Sequence, residues 1–234
     1  MVTCMHPHIW ENFAKMEVLP TRTWNGITIP AAGVYQLDGN HKRLGFLAMH
    51  MMVSPVRGEF ASGEASVVVA EDPLASRVAC TIQAASIDTH VPDRDAHLSG
   101  PDFLDVENHP TIEFRSTGFR MRTQVDPIFS WARLKAGTAG RAPHDPMRPD
   151  GSFTKFVMDG LLTVRGVTRP VSLECEFGGV GHDPYGQDIF GFHGSCDIDR
   201  EEWGLLWNVA LEAGGVLVAK KVRIEIAGEM IRQS

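Results

Sequence analysis

From Ala219 onward the chain alternates Val222, Ile224 and Ile226 with Lys221, Arg223 and Glu225, the two-residue period of a strand with one dry and one wet face. The same period recurs upstream. Leu44, Phe46, Ala48 and His50 alternate with Gly45, Leu47, Met49 and Met51, Ile112 and Phe114 with Glu113 and Arg115, and Phe190 and Phe192 with Gly191 and His193. Turn signals at Gly58, Asp72-Pro73, Gly166, Asp183-Pro184 and Gly214-Gly215 punctuate these runs. Strands at this spacing without a strand-helix-strand rhythm predict an all-β fold, an antiparallel barrel of about eight strands. The apolar phase assigns Phe46, Phe114, Val222, Ile224 and Ile226 to its interior.

One segment breaks the strand pattern with helical signals. Pro92 suits a first helical position, Asp93 the first turn, and Gly100-Pro101 a stop, so the spacing predicts a helix over 92–99. Arg94 and His97 share a face of it, and Leu98 is its apolar anchor, with Phe103 and Leu104 beneath. A short helix between two strands of a barrel reads as a lid over the mouth. A stretch at about 120–152, rich in Pro and Gly, reads as a long loop insertion, because loops beyond about 12 to 15 residues in a compact domain are uncommon. Residues 1–32 read as an N-terminal extension packed across the outside or one end of a single barrel domain spanning 33–234.

Composition narrows the partners. A net charge of −7 with no basic stripe argues against a nucleic-acid surface. The longest apolar run, Leu44 to Val53, is far short of the roughly 20 residues of a membrane-spanning helix, so no integral membrane segment is expected. The first 24 residues lack the apolar core of a signal peptide, which makes the cytoplasm the expected compartment. Cys4, Cys80, Cys175 and Cys196 are too scattered for a disulfide framework or a zinc knuckle and read as buried reduced thiols. His6-Pro7-His8 alone does not make a metal site, and neither a metal nor a cofactor is expected.

The chemistry follows from the barrel. About eight strands enclose an interior that side chains fill or that holds one small ligand. Phe46, Phe114, Leu162 and Ile224 are the candidates to line a tunnel for an apolar tail, with Phe103 under the lid. His50, Arg94, Asp95 and His97 flank the lid helix and are the candidates to meet a polar head group; Arg94 and Asp95 have the competing role of anchoring the helix. No G-x-S-x-G elbow, H-E-x-x-H, phosphate-binding loop or dinucleotide fingerprint is present, and no catalytic residue is assigned. The alternative is a small-molecule enzyme that uses the cavity for cyclisation or acid/base chemistry, with Asp95 and His97 or His50 as its acid/base set.

An ordered series of motifs resembles the signature of the YceI-like, lipocalin-like family. It runs through Ser86-Ile87-Asp88-Thr89, Arg94-Asp95-Ala96-His97-Leu98, Asp102-Phe103-Leu104-Asp105 and Pro110-Thr111-Ile112-Glu113-Phe114. Tyr35 to His41 precede it in the expected order, and Gly160 to Val171 and Ile198 to Gly204 follow. The resemblance implies a lipocalin-like barrel that binds, stores or transports a long-chain apolar ligand, a polyisoprenoid, an isoprenoid quinone or a related lipid, without turnover. Ser99 stands where the family carries a basic residue, so a neutral head group is expected over a pyrophosphate. Barrel edges and Trp-bearing extensions are compatible with a homodimer.

Overall fold

The computed structural model of the chain describes residues 21–121, 154–210 and 217–233. The first 20 residues of the predicted extension and nearly all of the predicted insertion lie outside the described residues, as do Cys4, His6 and His8.

The strands in chain order are β1 (Thr21–Trp24), β2 (Ile27–Pro30), β3 (Gly33–His50), β4 (Ser54–Phe60), β5 (Gly63–Val69), β6 (Arg77–Gln83) and β7 (Ile87–Asp88), then β8 (Thr111–Met121), β9 (Thr154–Val164), β10 (Val167–His182), β11 (Asp188–Asp199) and β12 (Val218–Arg232). Eight of them pair antiparallel in the order β12-β11-β10-β9-β8-β6-β5-β3, and β12 returns to β3 to close a barrel. This is the fold class that the alternation predicts. Phe114, Ile224 and Ile226 reach the interior cavity, Phe46 packs against the core at one end, and Val222 is half-buried.

Strand β3 changes partners along its length. Its first residues, Gly33–Gln36, pair with β5, and its last, Gly45–His50, pair with β4, which in turn carries β7. β12 follows β3 throughout, with register shifts at both halves. The β3–β4 branch therefore folds over one end of the barrel and leaves the other end to a separate hairpin. That hairpin, β1–β2, turns on Asn25 (φ 49°) and Gly26 (φ 79°), residue types that accept the left-handed region a tight hairpin requires.

The only α-helix among the described residues is α1 (Pro92–Ser99). Pro at its start, Asp93 and Asp95 in its first turn, and Gly100 donating its backbone N–H to the His97 carbonyl give it the predicted bounds. Its half-buried Leu98 packs on a cluster of Ala84, Ile87, Leu104, Ile112, Leu162, Val164 and Trp203. Trp203, 2% exposed, sits on a 3-10 turn (Arg200–Trp203) and donates its indole N–H to the Leu162 carbonyl at 3.1 Å. Arg200, also buried, donates to the carbonyls of Ala219 (3.1 Å), Val218 (3.5 Å) and Leu205. These groups close the barrel at the α1 end.

Trp203→Ala should empty this plug and lower the unfolding free energy by about 3 to 5 kcal/mol. Urea unfolding of the full chain measures it, and a cost below about 1 kcal/mol would mean that the end is sealed by other groups.

Candidate functional site

Above the plug the barrel is hollow. A continuous cavity with about 1540 Å³ of empty space, its open part included, runs from Phe114, Leu162 and Ile224 at the floor toward the opposite end. There its wall is completed by Trp24, Ile27, Ile29 and Pro30 of the β1–β2 hairpin, by Pro73 and Leu74 of the 3-10 turn Pro73–Ala75, and by Ser76 after it. Met121 of β8 and its cross-strand partner Phe156 of β9 line the same end. The middle is walled by Met158, Leu173 and Cys175 with Phe119, Phe156 and Ile226 against them.

Among the described residues that line the cavity, none is a His, Asp, Glu, Lys or Arg. Its lining includes Ser76, whose hydroxyl accepts a bond from the Ala70 amide at 3.2 Å, and the three cysteines Cys80, Cys175 and Cys196. Burial pushes the Cys80 thiol up to about 11 and those of Cys175 and Cys196 to about 12. They stay protonated near neutrality and act as small apolar groups, because the thiolate is the nucleophile. The described wall can exclude water and hold hydrocarbon.

The structure divides the nine predicted site residues. Phe114, Leu162 and Ile224 lie together on the cavity wall. Phe46, 5.9 Å from Phe60 between ring centroids, and the buried Phe103 belong to the closed end, not to the cavity lining. His50 is exposed at the end of β3. Arg94, Asp95 and His97 lie on α1, so the expected lid over the mouth is corrected: the helix covers the plugged end, and the hairpin covers the other. Helical signals fix where a helix forms along the chain but not which rim of a barrel it reaches.

Arg94 and Asp95 converge on buried Thr89. Asp95 Oδ1 accepts from the Thr89 amide (2.9 Å) and hydroxyl (2.5 Å), while Arg94 donates to the same hydroxyl oxygen (2.7 Å) and to the Thr89 carbonyl (2.8 Å). This is the anchoring geometry. His97 faces Asp102 at 3.3 Å and stands edge-on to Trp207 and Phe103, with ring centroids 4.6 and 5.1 Å away.

Sequence reasoning missed the hairpin residues of the wall. Trp24-Asn25-Gly26-Ile27 carried the signal, since Asn-Gly between apolar residues marks a two-residue hairpin. Arg22 fastens this hairpin: it donates to the Pro30 carbonyl at 3.3 Å, pairs with the Glu71 carboxylate at 3.0 Å and bonds the carbonyls of Ala70 and Glu71. Arg232 pairs with Asp188 at 3.8 Å at the same end, where Tyr35 donates to the Ala31 carbonyl at 2.9 Å.

Residues 35–230 match the YceI-like domain family. A UPF0312 protein of Staphylococcus epidermidis is 29% identical over 197 residues, covering 83% of this chain and 95% of the relative. The BcnA structure of Burkholderia cenocepacia is similar with a TM-score of 0.57 at 18% identity, covering 84% of this chain and 99% of the other. A polyisoprenoid-binding domain from Saccharophagus degradans, implicated in plant cell wall breakdown, has a TM-score of 0.55 at 11% identity, covering 85% and 98%.

Two outcomes follow from the site geometry. Asp95→Ala should cost about 1 to 3 kcal/mol of stability by stripping Thr89 of its acceptor, read from thermal unfolding. The three thiols of the cavity wall titrate above the roughly 8.5 of an exposed thiol, so the unfolded chain loses their protons first as pH rises. Their stabilisation is complete below that pH and should drain away toward pH 11. Denaturant midpoints measured through this range should fall more steeply for the native sequence than for a variant with Cys80, Cys175 and Cys196 all replaced by Ala.

Proposed function

Because this chain belongs to the YceI-like domain family, we propose that it binds one long apolar chain, a polyisoprenoid or related lipid, inside the barrel and releases it unchanged. The observation that carries this reading is the cavity wall, which is apolar along its described length and closed at its floor. Each buried CH₂ of a ligand contributes roughly 0.8 kcal/mol, so affinity rises with chain length until the floor at Phe114 and Leu162 is met. The tail points to that floor and the head group stays at the hairpin end. The neighbouring polyisoprenoid-binding domain supports the choice of ligand class.

The head group fits best if uncharged. Two of the described cations at that end, Arg22 and Arg232, are paired with carboxylates, Glu71 and Asp188, and capturing a phosphate on either would mean breaking its pair. The acid/base alternative finds no support in the lining: Asp95 is bonded to Thr89, His97 faces Asp102, and His50 is exposed at the other end of β3.

The test is native mass spectrometry of the delipidated full chain with a long polyprenol, a short one and a polyprenyl phosphate. One long polyprenol per chain should bind, in preference to the short and the phosphorylated forms. Ala65→Trp, which puts an indole on the cavity wall, should weaken binding by about tenfold or more, equal to roughly 1.4 kcal/mol, with the fold intact. Gly160 faces inward but is unsuited to this experiment, because a Cβ there would run into the Phe114 ring. Recovery of a chemically altered ligand, or indifference of all three probes to the protein, would overturn the reading.

A further inference from the structure

We propose that Asp38, His41 and Glu229 form a binding site for a divalent transition-metal ion of the zinc class on the outer wall of the barrel. The site arises where the barrel closes. Lys42 faces Gly228 and Leu37 faces Met230, so between these pairs β3 sets Asp38, Gly39, Asn40 and His41 against Glu229 alone. The surplus residues arch outward as a bulge. Gly228 permits the close approach, since a Cβ there would lie 2.8 Å from Leu37 Cδ1 and 3.1 Å from the His41 carbonyl.

The bulge is internally fixed. Asp38 Oδ1 accepts the Asn40 amide at 2.8 Å, which leaves Oδ2 2.7 Å from His41 Nδ1, and Glu229 Oε2 stands 3.8 Å from the same nitrogen. One ligand atom from each of the three residues falls within 4.8 Å of the other two. An imidazole nitrogen and two carboxylate oxygens are the mixed donor set that zinc and its neighbours accept, and two carboxylates balance a double positive charge. A cation at the centre of this triangle replaces the direct contact between Asp38 Oδ2 and His41 Nδ1.

A separate observation places room beside the donors. His41 and Glu229 open onto a surface cleft walled also by Glu176 and His193 of β10 and β11. Gly178, Gly191 and Gly228 project no side chains into it, which leaves space for water to complete the coordination. Glu176 is paired with Lys155 at 3.2 Å, so it is a neighbour of the site and not a fourth ligand.

The consequence reaches the interior. Leu37 and Met230, next to Asp38 and Glu229 in sequence, point the other way and line the cavity. An ion fastening the bulge to β12 fastens the seam of the cavity wall. The inference rests on the geometry of the bulge alone and stands independently of what the cavity holds.

The experiment is calorimetric titration of Zn²⁺ into the chelator-treated full chain, with thermal unfolding as a second readout. One saturable site is expected, with unfolding shifted to higher temperature by the metal. His41→Ala and Glu229→Gln should each weaken Zn²⁺ binding by about tenfold or more and abolish the thermal shift. His182→Ala removes a similar exposed pair with Asp188 at 3.1 Å and should change neither readout, and the double variant His6→Ala/His8→Ala should retain the site. Absence of saturable binding, or a site lost with His6 and His8 yet kept in both His41→Ala and Glu229→Gln, would overturn the proposal.

Discussion

A barrel that is to hold a guest has to be shut at one end without being filled to the other, and in this chain the shutting depends on Trp203. Its ring supplies the bulk of the plug, and its only polar atom is satisfied by the Leu162 carbonyl, so the indole is buried without stranding a donor. Arg200, on the same turn, gathers carbonyls that flank the turn and the start of β12. With that end fixed, Phe114, Leu162 and Ile224 become a floor and the remaining length of the barrel becomes a container. The β3–β4 branch and α1 add their apolar sides to the same plug, which is why the hairpin β1–β2 is left to cover the far end.

The chemistry of the container follows from what its wall lacks. Charged groups cluster on the outer face of the barrel, in pairs such as Arg223 with Asp197 at 2.7 Å and Arg57 with Glu225 at 2.9 Å, while the inner phase of the same strands is apolar. The two faces of β12 separate these roles residue by residue. Thiols on the inner face complete the apolar lining and remain protonated because burial disfavours the thiolate.

The features legible in the sequence were the local ones. Helix α1 fell within its predicted bounds because Pro92, Asp93 and Gly100 act on their immediate backbone. The inward phase of Ile224 and Ile226 was readable because side-chain direction alternates strictly along a strand. The features that escaped depend on where distant segments meet. The charges of Arg94 and Asp95 look like a head-group site until Thr89 is seen to absorb both. The helix announces itself without naming the rim it covers. Asp38 and His41 lie three positions apart in the chain, but Glu229 joins them only because β12 returns to the first strand of the barrel, so no spacing rule could have grouped them.

That return also sets the order in which the molecule can be made. β12 is the last of the described strands, and its partner β3 lies some 180 residues earlier, so the closing contacts are the most non-local of the barrel. Closing so long a loop carries its entropic cost before any contact repays it, which makes the final seam slow to form. During synthesis the edges of β3 and β11 stay unpaired and the apolar interior lies open until the final strand leaves the ribosome. The same lining that makes a container of the finished barrel is, for that interval, an adhesive surface, and the newborn chain depends on prompt arrival of β12 to hide it.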